Sequence, residues 1–216
     1  MIERDLAADL LLVAAQQARL ADPQTAINAQ ARVKVASAAA RRVRYLANTQ
    51  FARLRVTPGL QKKIHWLHKM ADTFGAAIGP HAACSPGCDA CCHIPVTISA
   101  AEAQHIAVNT GAVLVPPVAW PGIDMTHVGH ACPFLVDQRC SIYQHRPLPC
   151  RVQYSMDADD LLCHAVPGYP SEVPYANASQ INDISVAMHV GSLGNQAAML
   201  LGDIRDFFPN GLKNDQ

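Results

Sequence analysis

The chain has 216 residues, half of them apolar, and equal numbers of acidic and basic side chains leave it without net charge. This length suits one domain of ordinary size, and the apolar content excludes a disordered chain. The longest apolar run near the start, residues 10–15, is far shorter than the roughly 20 residues that span a bilayer, and the acidic N-terminus lacks the basic region of a signal peptide. We therefore expect a soluble, cytoplasmic protein without a membrane partner.

Apolar residues at helical spacing predict three helices in the first part of the chain. The first covers residues 5–20, the second, rich in alanine, runs from about Thr25 to Arg55, and the third covers roughly residues 60–77. The residues expected to face the core are Leu6, Leu10, Val13, Ala14, Ile27, Ala31, Val35, Ala38, Tyr45, Leu46, Ile64, Trp66, Leu67, Met70 and Phe74.

Basic residues are concentrated in these helices. Ten Lys and Arg residues, and no acidic ones, lie between Arg32 and Lys69. Such a face can attract an acidic protein or nucleic acid, or it can pair with the acidic C-terminal region of the same chain. Zero net charge and the lack of a recognisable nucleic-acid motif argue against nucleic acid and favour pairing within the chain.

Residues 81–170 are rich in Pro, Gly and Cys and show little periodicity. A helix over about 99–110 is the exception, since Ser99 and Glu102 form a capping-box pattern and Gly111 is a typical helix end. A small hairpin is predicted around residues 137–139. Helical spacing then resumes from about Asn177 and continues to Phe208, with Gly191 and Gly194 inside it as sites for a break or a close helix contact.

All eight cysteines fall within this irregular region, which points to a metal site. They are Cys84, Cys88, Cys91, Cys92, Cys132, Cys140, Cys150 and Cys163. In a reducing cytosol such grouped thiols are typical of metal ligands or redox groups, and the adjacent pair Cys91-Cys92 is poorly suited to a disulfide. Eight thiols exceed the needs of one tetrahedral zinc, so two metal ions, one polynuclear cluster, or ligands with additional redox thiols are all open.

Cations and imidazoles accompany the cysteines. Because an array of thiolates is negatively charged, we expect Arg146 and Arg151 to lie behind the ligands and stabilise them, or to anchor an anionic ligand. Arg139 fits an ordinary surface arginine equally well. The histidines of this region are His81, His93, His127, His130, His145 and His164. His93 and His164 are the strongest candidates for further ligands, since each directly follows a cysteine.

The predicted fold is mainly α. Helical N- and C-terminal arms pack around an irregular, Cys-rich metal-binding core with at most a small β-hairpin. We expect an N-terminal helical arm over residues 1–78, a cysteine-cluster region over 79–170 and a C-terminal helical segment over 171–216, joined in one globular unit.

Both halves of the cysteine array resemble a known family. The matching residues are Gly87-Cys88-x-x-Cys91-Cys92-His93, then Val96 and Glu102, then Cys-Pro-Phe-Leu at 132–135, and Cys140-Ser141-Ile142-Tyr143-x-x-Arg146-Pro147-x-x-Cys150-Arg151. This combination resembles the YkgJ-type cysteine-cluster family, which is described as chelating zinc or iron and is related to the flagellin lysine N-methylases. The resemblance covers about residues 84–163. The Cys84–Cys88 spacing is one residue longer than the usual C-x2-C, and Asp89 stands where Gly is common.

The resemblance implies a metal centre that holds zinc or iron, with an iron-sulfur cluster as one form, and it implies no settled reaction. A zinc-stabilised interaction module is an alternative, in which the basic helices of residues 32–69 contact a protein partner. A second alternative is an S-adenosylmethionine-dependent enzyme similar to the lysine N-methylases, although the chain has no convincing Gly-rich strand-to-helix loop. The C-x3-C-x2-C spacing also occurs in radical S-adenosylmethionine enzymes, whose strand-helix repeats are missing here. No catalytic residue is assigned.

Overall fold

Four helices precede the cysteine region in the computed structural model, which describes residues 5–115, 125–190 and 200–212. They are α1 Leu6–Ala21, α2 Pro23–Arg42, α3 Arg44–Val56 and α4 Leu60–Ile78. Asp5 and Asp22 cap the first two, because their carboxylates accept hydrogen bonds from the amides of the first turn. The mainly α expectation is confirmed.

The single helix predicted from Thr25 to Arg55 is in fact two helices. The break lies at Val43, whose φ of −93° and ψ of 1° leave the helical region and whose amide bonds the carbonyl of Ala40, three residues back. No Gly or Pro marks this point in the sequence. The break is instead associated with tertiary packing, since Ala47 and Leu54 of α3 join the core formed by α4.

The predicted core residues of α4 are buried or partly buried, but most of those in α1 to α3 are not. The ones that are exposed instead are Leu6, Leu10, Ala14, Ile27, Ala31, Val35, Tyr45 and Leu46. Small residues such as Ala29, Ala36 and Ala47 are buried in their place. The buried residues of α2 are therefore small, whereas α3 buries Leu54 together with Ala47, and the bulkier residues predicted for the core in both helices are exposed.

Among the described residues, contact between the basic stretch and the acidic C-terminal region is limited to Arg32, whose charge also lowers the pKa of Asp159. Asp157 and Asp159 pair with Arg19 of α1, at 3.0 and 2.9 Å. Arg32 donates a hydrogen bond to the backbone carbonyl of Asp157. None of the ten basic residues between positions 32 and 69 belongs to an ion pair within the described parts of the chain.

The predicted central helix is α5 Ala100–Thr110, and its ends follow the sequence signals. The Ser99 hydroxyl accepts the amide of Glu102 at 3.2 Å, and Gly111 adopts a φ of 74°. The Glu102 carboxylate does not complete the capping box. It accepts the Leu148 amide at 2.7 Å and contacts His68 at 3.3 Å, so it connects α4 and α5 to the next helix.

Two small antiparallel sheets complete the fold. Strands β2 Leu135–Val136 and β3 Arg139–Cys140 form the predicted hairpin, with positive φ at both residues between them. The other sheet, which the sequence did not predict, pairs β1 Thr97–Ser99 with β4 Leu201–Asp203. The remaining α-helices of the described residues are α6 Leu148–Val152, α7 Ser179–Val190 and α8 Ile204–Phe207.

The pattern from Asn177 to Phe208 is therefore not one helix. It contains α7, then β4, whose three residues hydrogen-bond with β1, and then the single turn of α8. Gly191 and Gly194, where a break was considered, lie outside the described residues.

Two apolar cores position the cysteines. One surrounds α4, and its buried members include Ile64, Leu67 and Leu148. The other is formed by α5, β1, α8 and the loops between them, and includes Phe134 and Phe207. Three cysteines, Cys132, Cys140 and Cys150, pack against the second core. Among the described residues, no helix combines the length and apolarity needed to cross a membrane.

Candidate metal centre

All eight cysteines lie within the described residues, and each is a free thiol. The first half of the array is an irregular loop followed by a short 3-10 helix. Its turn is closed by the Cys88 amide, which donates to the carbonyl of Ser85 at 3.1 Å, and Gly87 supplies the positive φ of 90°. The 3-10 helix Ala90–His93 then carries Cys91 and Cys92. Local turn chemistry thus places three thiols within one short segment.

Backbone hydrogen bonds attach the second half of the array to the first. The Cys132 amide donates to the carbonyl of Cys92 at 2.7 Å, and the Gly129 amide donates to the carbonyl of His93 at 2.8 Å. The hairpin then brings in Cys140 at the end of β3, and α6 brings in Cys150. Residues about 40 to 60 positions apart in the sequence therefore meet at one place.

Five thiols form what we call the larger thiol group. Its members are Cys91, Cys92, Cys132, Cys140 and Cys150. A hydrogen bond between the neighbouring thiols lowers the pKa of Cys91 to about 7 and raises that of Cys92. Burial raises the pKa of Cys132 to about 11 and that of Cys150 well above its usual value. The charges of neighbouring thiolates raise both further, as expected for sulfur atoms that lie close together.

The other three thiols, Cys84, Cys88 and Cys163, form a smaller thiol group. The Cys88 sulfur lies 3.8 Å from Oδ2 of Asp160. Burial raises the pKa of Cys163 to about 11, and the charges of Cys84 and Cys88 raise it further. Cys88 thus neighbours this group and Cys92 neighbours the larger one, whereas the charge of Cys91 raises the pKa of thiols in both groups.

The donor set suits zinc or iron, although the side chains are not yet arranged around a common point. No three or more His, Cys, Asp or Glu side chains in the described parts of the chain are placed to hold a metal ion as they stand. Both metals accept thiolate ligands, and the larger thiol group offers more than the four that either a structural zinc or an iron-sulfur cluster takes. Binding would displace the thiol protons and draw the sulfur atoms together.

Arg146 and Arg151, the two arginines predicted from the sequence to support the thiols, lie near them and have different binding partners. Arg146 stacks on the Tyr143 ring at 3.7 Å, and its charge opposes the effect of burial on the pKa of Cys140 and Cys150. Arg151 is buried and binds Asp72, with 2.7 Å from Nη1 to both carboxylate oxygens. Its other nitrogens donate to the carbonyls of residues 144 and 146, so it fixes the segment before α6.

The candidate histidines each face a carboxylate. Nε2 of His93 lies 3.6 Å from Asp89, and Nε2 of His164 lies 3.4 Å from Asp160. Since Asp160 also contacts Cys88, His164 belongs to the surroundings of the smaller thiol group. Their participation as ligands stays a prediction.

Sequence reasoning missed the side chain that joins the two halves. Arg205 of α8 is buried and donates to the carbonyls of Cys92 at 3.0 Å, Ile94 at 3.1 Å and His130 at 2.6 Å. Asp203 pairs with its guanidinium at 3.0 Å and also accepts the Val96 amide at 2.7 Å. The Asp203 to Asp206 capping box was a signal for the start of α8, which carries Arg205, but not for the contacts that Arg205 makes.

Comparison with known proteins agrees with this description. The family model CxxCxxCC, described as "Putative zinc- or iron-chelating domain", matches residues 83–173. Searches among curated proteins and among solved structures found no match. The matched segment contains all eight cysteines and both thiol groups. Residues 83–173 of this chain are thus similar to the CxxCxxCC family, the same family that the two halves of the array resemble.

Proposed function

We propose that the protein chelates zinc or iron, the latter as an iron-sulfur cluster or as single ions, mainly through the larger thiol group. The observation that carries this is the attachment of the two halves. The hydrogen bonds from the amides of Cys132 and Gly129 join the second half of the array to the first. The charges of Cys91, Cys132 and Cys140 also raise the pKa of Cys150, which supports a common neighbourhood for these thiols. Thiols collected in this way, in a reducing compartment such as the cytosol, are suited to soft metal ions.

The smaller thiol group has three thiols and the Asp160 carboxylate at hand. It therefore contains the donor types for a second ion, or for ligands that supplement the first site. We propose the second ion as the reason that the chain contains more thiols than one tetrahedral site needs. More than one zinc ion per chain, or iron in excess of the acid-labile sulfide, would support it.

The experiment is a metal analysis of protein purified without oxygen, together with its visible absorption spectrum. Zinc gives colourless protein, whereas an iron-sulfur cluster gives absorption in the visible range and acid-labile sulfide. We expect Cys132→Ser and Cys150→Ala to lose the metal of the larger group. Alanine is chosen at 150 because a serine hydroxyl would be partly buried there.

Cys84→Ser and Cys163→Ser are the matched controls, since they change the same residue type in the other group. They should lower only the metal held beyond the larger group, and leave the zinc ion or iron-sulfur cluster of that group in place. A folded, metal-free wild-type protein would contradict the proposal. So would a Cys132 variant with unchanged metal content.

A further inference from the structure

A cavity of about 320 Å³ lies between the helices of the N-terminal half and the start of α7. Its walls come from the C-terminal part of α2, the first residue of α3, one face of α4, the end of α6 with Tyr154, and residues 176–181, which include the first turn of α7. No cysteine is among its described lining residues. It is thus a separate site from the thiol groups, and the metal-binding proposal does not use it.

The charge at this cavity is positive. Arg41, Arg44 and Arg151 line it, and no Asp or Glu does among the described residues. The charge of Arg151 is neutralised by Asp72, at 2.7 Å. Arg41 and Arg44 are exposed, and neither forms an ion pair within the described parts of the chain. Two guanidinium groups are therefore available to a ligand, and guanidinium binds carboxylate and phosphate groups in a bidentate manner.

The rest of the lining is largely apolar. Phe74 and Ile78 are partly buried side chains on the α4 wall, and Ile181 contributes from α7. The ring of Tyr154 rests against the backbone of Gly75, where a Cβ would overlap its hydroxyl. Sites for small molecules usually have volumes of roughly 300–1,000 Å³, so this cavity is at the small end of that range. The cavity lining therefore combines apolar side chains with two cationic ones.

We propose that this cavity binds a small organic anion, a carboxylate or phosphate carried on an apolar or aromatic body. Arg41 and Arg44 hold the anionic group, and the α4 wall receives the apolar part. The negative charge of the ligand is inferred from the two available arginines and from the lack of Asp and Glu in the described lining. Its apolar body is inferred from Phe74 and Ile78.

The test is calorimetric titration of the full-length protein, as purified with its metal, with four probes that share one ring. Phenyl phosphate and benzoate represent the two anionic groups, benzyl alcohol is the neutral probe, and benzylamine is the cationic one. Inorganic phosphate tests the contribution of the ring. We expect saturable binding of at least one aromatic anion and weaker binding by every other class of probe.

Variants locate the site. Arg41→Ala and Arg44→Ala should each weaken binding of the aromatic anion by about tenfold or more, since each removes a charge-assisted contact. Arg42→Ala is the matched control, because Arg42 is equally exposed but does not line the cavity. Arg44→Lys, which keeps the charge, should bind more tightly than Arg44→Ala.

Three results would overturn the proposal. The first is that neither aromatic anion binds saturably. The second is that benzyl alcohol or inorganic phosphate binds as tightly as phenyl phosphate, and the third is that Arg42→Ala weakens binding as much as Arg41→Ala. Circular dichroism spectra and unfolding midpoints of the variants verify that each is folded. None of these readouts depends on whether the protein carries zinc or iron.

Discussion

Replacement of Arg205 by alanine should destabilise the protein and empty the larger thiol group. The guanidinium donates to four backbone carbonyls, those of Cys92, Ile94, His130 and Ala131, and it pairs with Asp203. Two of these carbonyls belong to the first half of the cysteine array and two to the segment that leads into the second. The variant therefore removes a connection between the halves without touching a thiol.

The magnitude follows from the partners that would be left behind. A buried acceptor that loses its donor costs about 1–3 kcal/mol, and loss of one partner of a buried ion pair costs about 3–5 kcal/mol. Some groups keep other partners, since the Cys92 carbonyl still accepts the Cys132 amide and Asp203 still accepts the Val96 amide. We therefore expect the free energy of unfolding to fall by about 3–5 kcal/mol, and not by the sum over all contacts.

The assay is urea unfolding followed by circular dichroism, with metal content measured on the same samples. Arg205→Lys should show an intermediate loss, because it keeps the positive charge beside Asp203 but cannot reach all four carbonyls. Arg139→Ala, an exposed arginine of the hairpin, is the control and should change stability by no more than about 0.5 kcal/mol. An average destabilising mutation lowers the free energy of unfolding by about 1 kcal/mol. If Arg205→Ala lowers it by no more than this and keeps its full metal content, the reasoning is refuted.

Four other variants or conditions are informative. Burial lowers the pKa of His105 from 6.5 to about 4, so its neutral form stabilises the fold above pH 6.5 and this contribution is lost as the pH falls towards 4. Because the ring is only partly buried, we expect a loss of about 1–2 kcal/mol in urea unfolding, which His105→Gln should reduce. Glu102→Ala leaves the buried Leu148 amide and the His68 imidazole without their acceptor, and should lower the free energy of unfolding by about 2–4 kcal/mol in the same assay. Glu102→Gln should lower it less. Gly211→Ala combines a positive φ of 60° with a clash against the carbonyl of Pro133, so a fall in thermal midpoint is expected, and an unchanged midpoint would contradict the described contact. Gln138→Gly relieves a positive φ of 58° in the hairpin and should raise stability by about 0.5–1 kcal/mol, so a lowered midpoint would argue against the positive φ.

The sequence predicted those elements whose signals are local. The apolar repeat of α4, the cap at Ser99 with Gly111 at the other end of α5, and the short hairpin all follow from neighbouring residues. The break at Val43 and the strand β4 did not follow, because each depends on packing against distant parts of the chain. In β4, Leu201 pairs with β1 but also lies three and seven residues before Ile204 and Phe208, so periodicity alone favoured a helix there.

The site was predictable to a similar extent. The cysteines and their connection to one metal-chelating family could be predicted, because thiol grouping is visible in the sequence. The division into two thiol groups could not, since Cys88 and Cys92 are close in sequence but neighbour different partners. Arg205 was missed because its role consists of bonds to backbone carbonyls, which no residue pattern reveals. The ligand set itself stays a prediction.

The pairing of β1 with β4 affects how the chelating segment could be used outside this chain. β1 lies inside the stretch that matches the family model, whereas β4 and Asp203 come well after its end. A fragment limited to the matched residues would expose an unpaired strand edge and would lose the carboxylate that accepts the Val96 amide. We therefore expect that residues 83–173 expressed alone, or inserted into another protein, would lack part of the fold that holds the cysteines. Strand β4 and Arg205 of α8 would have to be included with them.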